Sequence, residues 1–351
     1  MNLELSDEQR LLAETARAFV DRHRDDDTNA WPTICDAGWP ALLIPEEHGG
    51  AGAGTMEVAL VCEALGRGPV SSPLIASGVL AALPLCALGT HEQRERLLPE
   101  IAAGTKVGTL ALLEPGMRDE WDALTVEGSP RVSGTKVLVP WAGTAVVIVV
   151  ATAEGLRLVE HGAQGVMLED HEALGGEPSG ALTFHDTRSD ALGAPDEGRL
   201  ALDRTLEYAA VAALAYAVGA AERALELSVE HAKDREQFGR PIGTFQAIAH
   251  RCAEMRADVD ACRYLAYQAA WALDRSMAGG AGEVATASAY AKDAIRRVFL
   301  HAHQVHGAMG FTTEHPLHRF TQCAKAFELS YGGTTRHRDR LATAIGLRAS
   351  S

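Results

Sequence analysis

Apolar positions along this chain follow three different rhythms. Up to about residue 108, short amphipathic segments alternate with turns. Leu12, Ala16, Phe19 and Val20 recur at helical spacing and make one apolar face. Ser6 ahead of Asp7, Glu8 and Gln9 marks a helix start with acidic residues at the positive end of its dipole. Met56–Leu65 and Gln93–Ala103 read as further helices, and the glycine-rich run His48–Gly54 as a loop. From about 109 to 195 the rhythm shortens. Arg131–Val139 partly alternates with period two, and Val146–Ala151, Leu156–Val159, Gly165–Leu168 and Ala181–His185 are short strand patterns between Gly, Glu and Asp turns. From about 199 to 345 long helical patterns return. Leu200–Asp234 is rich in Ala, Leu and Glu, with no Pro and one Gly, Gly219; Thr244–Met277 and Gly282–His306 follow. Helices this long pack as an antiparallel bundle. The expected fold is α+β and mostly α: an N-terminal helical domain (1–108), a small middle β domain (109–195) and a C-terminal four-helix-bundle domain (196–351).

Composition narrows the function. A chain of 351 residues is long enough for a large core. Its formal net charge of −15 argues against nucleic acid, because phosphate binding needs a basic face. Six scattered cysteines (Cys35, Cys62, Cys86, Cys252, Cys262, Cys323) form no Cys-x-x-Cys pair and read as reduced core thiols of a cytoplasmic protein. The start after Met1 is acidic, unlike a secretory leader. No run approaches the ~20 apolar residues of a membrane span; the most apolar, Ala145–Ala151, suits a buried strand. His301, His303 and His306 fall close together but lack zinc spacing, so a helix-end role is expected and no metal site.

The chemistry enters with Asp234-Arg235-Glu236-Gln237-Phe238-Gly239-Arg240-Pro241-Ile242, followed by Phe245-Gln246. Other runs accompany it in order: Ala37-Gly38-Trp39, Ile44–Gly52, Glu63-Ala64-Leu65-Gly66-Arg67, Gly89-Thr90-His91-Glu92-Gln93, Leu97-Leu98-Pro99, Leu113-Glu114-Pro115-Gly116 and Gln304–Phe311. Together they resemble the acyl-CoA dehydrogenase family over nearly the whole chain. The resemblance implies FAD, an acyl-CoA thioester as substrate, a role in β-oxidation and an electron-transferring flavoprotein as acceptor. It implies that Arg235 holds the pyrophosphate with its planar fork of donors and that Phe238 reaches the flavin of a neighbouring subunit. Gln246 and Gln304 would donate amides, Gly307 would let the backbone approach the cofactor, and Thr334 would contact the flavin or ribityl region. Read singly, Arg235 is a surface helix charge and Phe238 a packing residue; read as an ordered set, the residues point to FAD contacts.

The chain also departs from the family. Where the family carries Tyr-Glu-Gly-Thr, with Glu as the catalytic base, this sequence has Tyr331-Gly332-Gly333-Thr334. Alignment by the later Gly-Thr puts Gly332 at the base position; gapless alignment from Pro316 and Arg319 puts Tyr331 there. Some members carry the base on the first long helix of the bundle, and that position falls on Ala209. Glu207, two residues earlier, is turned by ~200° on a helix and is the leading replacement, ahead of Asp203 and Glu328. The flavin-side loop has Leu113 for the usual Thr and Met117–Trp121 for Gly-Ser-Asp. After Lys136 comes Leu138-Val139-Pro140-Trp141 in place of Trp-Ile-Thr/Ser. Trp141 reads either as a flavin-stacking ring or as core. Three functions are compatible with these features. One is the shorter, base-lacking subunit of a heterotetramer like the actinobacterial ones that act on sterol side-chain or other bulky acyl-CoA, with a homologous subunit supplying the Glu. A second is a self-sufficient, homo-oligomeric dehydrogenase using Glu207. A third is a flavin-free scaffold of the same fold.

Overall fold

The computed structural model describes residues 4–23, 30–275 and 280–347; Met1 and Met277, the expected end of one long helix, lie outside the described residues. In chain order the first part contributes α1 (Asp7–His23), α2 (Trp31–Asp36), α3 (Thr55–Gly66), α4 (Ala82–Leu88) and α5 (His91–Ala102). Seven strands follow: β1 (Gly108–Ala111), β2 (Arg131–Pro140), β3 (Val147–Thr152), β4 (Gly155–Glu160), β5 (Val166–Glu172), β6 (Pro178–Arg188) and β7 (Asp190–Leu192). Then come α6 (Pro195–Asp234), a two-strand ribbon of β8 (Glu236–Gln237) and β9 (Arg240–Pro241), α7 (Gln246–Asp274), α8 (Gly280–His306), α9 (Leu317–Leu329) and α10 (Thr334–Ala344). The expected order of helical, β and helical regions is the order observed. Strand β1 was not foreseen, because four consecutive buried residues have no alternation to read.

The chain divides into two compact units, Asp27–Val58 with Ser71–Ala209, and Met1–Asp26 with Ala59–Val70 and Ala210–Ser351. In the first, β1 pairs in parallel with β3, β3 runs antiparallel to β4, and β4 runs antiparallel to β7. A second, antiparallel sheet has the order β2-β6-β5. Both sheets give side chains to one core that includes Ala111, Val132, Val139, Ile148, Val150, Leu182 and Phe184. A simple two-residue period in β2 would turn Leu138 inward. A register shift between Lys136 and Val139, with Leu138 at φ 51°, turns Val139 in instead and leaves Leu138 exposed. Helix α5 opens with a reciprocal cap: Gln93 N–H donates to Thr90 Oγ1 (3.2 Å) and Thr90 N–H to Gln93 Oε1 (2.9 Å). The Gln93 amide also donates to the Ala191 carbonyl of β7 at 3.2 Å.

The second unit is helical. Ser6 and Gln9 form the same reciprocal cap at the start of α1, and Ala16, Phe19 and Val20 are buried as their spacing predicts. Its tightest feature is the crossing of α3 and α6. A methyl group on Gly66 would sit 1.9 Å from the Tyr216 carbonyl oxygen, and one on Gly219 would sit 1.9 Å from that of Glu63. Backbone therefore lies directly on backbone. Beside the crossing, Glu63 (3% exposed) accepts from Arg263 Nε at 3.0 Å and from the Tyr267 hydroxyl at 2.7 Å. Arg67 reaches Glu222 at 2.6 Å and Glu226 at 2.9 Å. Burial works against the Glu222 carboxylate, but Arg263, Arg67 and Arg17 outweigh it and hold it below the ordinary carboxylate range. Ion pairing, not burial, decides its charge.

Gly219→Ala should lower the unfolding free energy of this region by roughly 2–3 kcal/mol, since neither backbone can yield to the added methyl. Chemical denaturation followed by far-UV circular dichroism checks this. A change under about 0.5 kcal/mol would mean that the helices slide apart freely.

Candidate active site

The first candidate element is the loop after β1. Lys136 on β2 is fully buried, and its ammonium donates to the Leu112 carbonyl at 3.0 Å and to Glu114 Oε1 at 2.7 Å. The Glu114 carboxylate also accepts from the backbone N–H groups of Thr125 (2.9 Å) and Val126 (3.0 Å), and from the Thr125 hydroxyl. One carboxylate thus ties the two ends of loop 114–126 to each other and to β2. Burial disfavours its charge, but Lys136, Thr125 and the two amides more than compensate, holding Glu114 down at about 2. Burial pulls the Lys136 ammonium below its ordinary range, and Glu114 opposes that pull. Both groups are read as charged, because the short contact and the converging donors suit an ion pair. Inside the loop, Glu114 N–H donates to Met117 Sδ at 3.1 Å. Trp141 is half-buried at φ 56° and caps the turn after β2 through its carbonyl.

The second element lies at one end of the helical unit. Arg235 follows α6 directly, is exposed, and its guanidinium makes no hydrogen bond or ion pair among the described residues. Phe238 sits at φ 54° in the β8–β9 turn, 92% exposed, edge-on to Phe245 at 6.0 Å between ring centres. Gln246 is the exposed first residue of α7, and Gln304 is exposed in the last turn of α8. Gly307 has φ 60° with open space where a side chain would be. The end of α6 meets the end of α8 through His231 and His306, whose rings lie 4.6 Å apart. Arg235, Phe238, Gln304 and Gly307 are therefore presented from adjoining ends of two helices.

Thr334 belongs to a different place. The run Tyr331–Thr334 leads into α10, and Thr334 Oγ1 donates to Asp293 at 3.4 Å. Asp293 is eleven residues, about 16 Å of helix rise, from Gln304 on α8. Within one chain the two sets of expected cofactor contacts are well separated. Lys292, 2% exposed, donates to the carbonyls of Phe327 (2.6 Å) and Ser330 (2.8 Å), closing the negative end of α9. His337, fully buried, holds the Tyr331 carbonyl through Nε2 at 2.7 Å. Gly332 is buried at φ 77°.

The remaining candidates scatter. Ala209 is fully buried and Glu207 is 8% exposed in α6. Asp203 pairs with Arg199 at 3.1 Å and Glu328 with Lys325 at 2.8 Å, which leaves them as ordinary helix ion pairs. His301, His303 and His306 do not share one set of contacts: His301 meets Arg251 and Glu254, His303 meets Thr321 and Phe311, and His306 meets His231 and His315. Sequence reasoning missed Lys136, Lys292 and His337 as positioning groups. A Lys at an inward strand position of β2 was the one visible signal.

Comparison with known proteins places the chain. The profiles for the acyl-CoA dehydrogenase N-terminal domain and C-terminal domain match residues 6–105 and 196–346. The chain belongs to the acyl-CoA dehydrogenase family, whose members are FAD-dependent oxidoreductases acting on CH–CH donors. Among its relatives, acyl-CoA dehydrogenase FadE27 of Mycobacterium tuberculosis is 33% identical, over 88% of this chain and 86% of that protein. A variant of the Tcur3481–Tcur3483 steroid ACAD superposes with a TM-score of 0.87 at 30% identity, covering 98% of this chain and 99% of that one. The ChsE4–ChsE5 complex from Mycobacterium tuberculosis gives 0.88 at 28% identity, with 100% of both chains covered. The residues present fit FAD: a guanidinium without a partner suits a pyrophosphate, and an exposed ring and an open glycine stand beside it. No helix among the described residues is long and apolar enough to cross a membrane.

Lys136→Met should cost about 3–5 kcal/mol by leaving Glu114 buried and unpaired, and Lys136→Met with Glu114→Leu should recover much of that loss. Denaturant midpoints of both single variants and the double variant check this; a double-variant loss equal to the sum of the two single losses would show that the pair does not couple. The pH sign follows from the depressed Glu114: its contribution is complete above the unfolded carboxylate value and is lost as pH falls from about 4.5 toward 2.

Proposed function

We propose that this chain is the subunit without its own catalytic Glu in a heteromeric acyl-CoA dehydrogenase, introducing an α,β double bond into a bulky acyl-CoA such as one with a sterol-derived acyl group. The observation that carries this reading is the turn at Gly332. It is still built, by Lys292 on one side and His337 on the other, yet it presents no carboxylate. Removing an α-proton from a thioester requires a placed base in a dry pocket; a homologous partner subunit would supply it. Bound FAD supplies the acceptor for the hydride leaving the β-carbon. This chain would contribute Arg235 to the pyrophosphate, Phe238 to the ring, and Gln246, Gln304 and Gly307 to the cofactor's surroundings, with Thr334 at the separate α10 site. The separation of Thr334 from Gln304 supports a site completed by two chains. Steroid-type relatives and the two-component complexes among its structural neighbours support the same assignment. An electron-transferring flavoprotein would accept the electrons, and the three-domain division at 108 and 195 goes with this reading.

A second reading rests on Glu207, a carboxylate buried in α6 two residues from Ala209. It would serve as the base of a self-sufficient enzyme.

Expressed alone, the protein should be colourless or substoichiometric in FAD. Co-expressed with a Glu-bearing homologue it should co-purify with flavin, and Arg235→Gln should reduce flavin occupancy of the complex at least ten-fold. Visible absorbance with size determination reads all three. A yellow solo protein that oxidises acyl-CoA, and loses turnover but keeps flavin in Glu207→Gln, would overturn the shared-site reading in favour of the second.

A further inference from the structure

Three histidine rings stand in a row where the cofactor-facing turns leave the helical unit. His306, in the last turn of α8, is 6% exposed. One neighbour is His231 of α6, with ring centres 4.6 Å apart; the other is His315 of the α8–α9 connection, at 4.5 Å. Neither ring nitrogen of His306 has a hydrogen-bond partner among the described residues. His303 stacks on Phe311 at 4.4 Å and bonds Thr321 through Nε2 at 2.9 Å. Gly310 leaves no slack: a methyl group there would lie 3.0 Å from His306 Cβ and 3.2 Å from His303 Nδ1. The stack thus joins α6, immediately before Arg235 and Phe238, to the segment 307–315 that carries Gly307, Met309 and Phe311.

We propose that the His231–His306–His315 stack is a proton-sensitive brace that holds the Arg235–Phe238 turn and the 307–315 turn in one frame while its rings are neutral, and that proton uptake releases both turns together. The facing groups give the physical reason. From α6 come His231, Asp234 and Arg235; from α8, His303 and His306; from the connection and α9, His315 and His318. Among these groups the Asp234 carboxylate favours the charge on His231. A proton placed on His306 meets first its burial, then His315, His231 and His303, which push it down to about 4. Burial and Arg235 depress His231, burial and His315 depress His303, and burial with His231 and His318 depresses His315. The sign is fixed: the opened state binds protons that the closed state rejects, so the brace is complete above the ordinary imidazole range and weakens as pH falls from about 6.5 toward 4. The brace stands on ring geometry; its bearing on cofactor capture rests on the function proposed above.

The test is hydrogen exchange of backbone amides 235–243 and 307–315, corrected for intrinsic rates, on the full chain without added flavin. In the wild type, opening should rise by up to about ten-fold per pH unit between 6.5 and 5, in both segments together. In His306→Phe, which keeps an aromatic ring and removes the titrating group, the dependence should flatten. Imidazole proton resonances should show midpoints below the ordinary value for all three rings, which checks the idea even if the variant fails to fold. Flat exchange in the wild type, an unchanged slope in His306→Phe, or ordinary midpoints would overturn it. If the brace behaves as described but Arg235→Gln leaves flavin occupancy of the complex intact, the function proposed above fails and the brace stands.

Discussion

The helical unit depends on one contact, the crossing of α3 and α6 at Gly66 and Gly219. With two glycines at the crossing, each helix presents bare backbone to the other, and the approach fixes which residues lie beside it. Glu63 and Arg67 flank one glycine; Glu222 and Glu226 follow the other at helical spacing. The ion pairs among Arg67, Glu222, Glu226, Arg263 and Glu63 are consequences of that approach. Buried ion pairs add little net stability, because desolvation offsets much of their attraction. What they add here is a fixed register for α6, whose C-terminal turn carries His231 and hands the chain on to Arg235.

A second theme runs through both units: buried nitrogen donors hold loops by their carbonyl oxygens. Lys136 takes the Leu112 carbonyl together with Glu114, Lys292 takes those of Phe327 and Ser330, and His337 takes that of Tyr331. The backbone path of these loops is thus set by groups outside them, whatever side chains the loops themselves carry.

Much of this was legible in the sequence, for reasons that particular elements illustrate. The long helices were readable because Leu200–Asp234 is an uninterrupted run of good helix formers; the observed helix begins five residues earlier, at Pro195, which is favoured at a first helical position. β3 was readable from six β-branched or small apolar residues, all buried. β1 was not, nor was the bulge at Leu138, since each is decided by partners distant in sequence. The site divides in the same way. Arg235, Phe238, Gln304 and Gly307 could be named from motifs, but that Thr334 stands about 16 Å along α8 from Gln304 is a property of packing. The histidines are the clearest case. His301, His303 and His306 read as one cluster from spacing, whereas helix rotation sends each to a different neighbour, and the stack that does form recruits His231 and His315 from elsewhere.

The turn at Tyr331–Gly332 says more than that a carboxylate is missing. Two consecutive residues are left-handed, Tyr331 at φ 53° and Gly332 at φ 77°. A tyrosine in that region carries a strain of about 1 kcal/mol or more, and it persists because His337 holds its carbonyl from below. A Glu at 332 would add a second strained residue in a buried position. The observed backbone at 332 therefore suits glycine and disfavours any side chain there. If the proton is removed by a group on another chain, as proposed above, this turn need carry no side chain at 332.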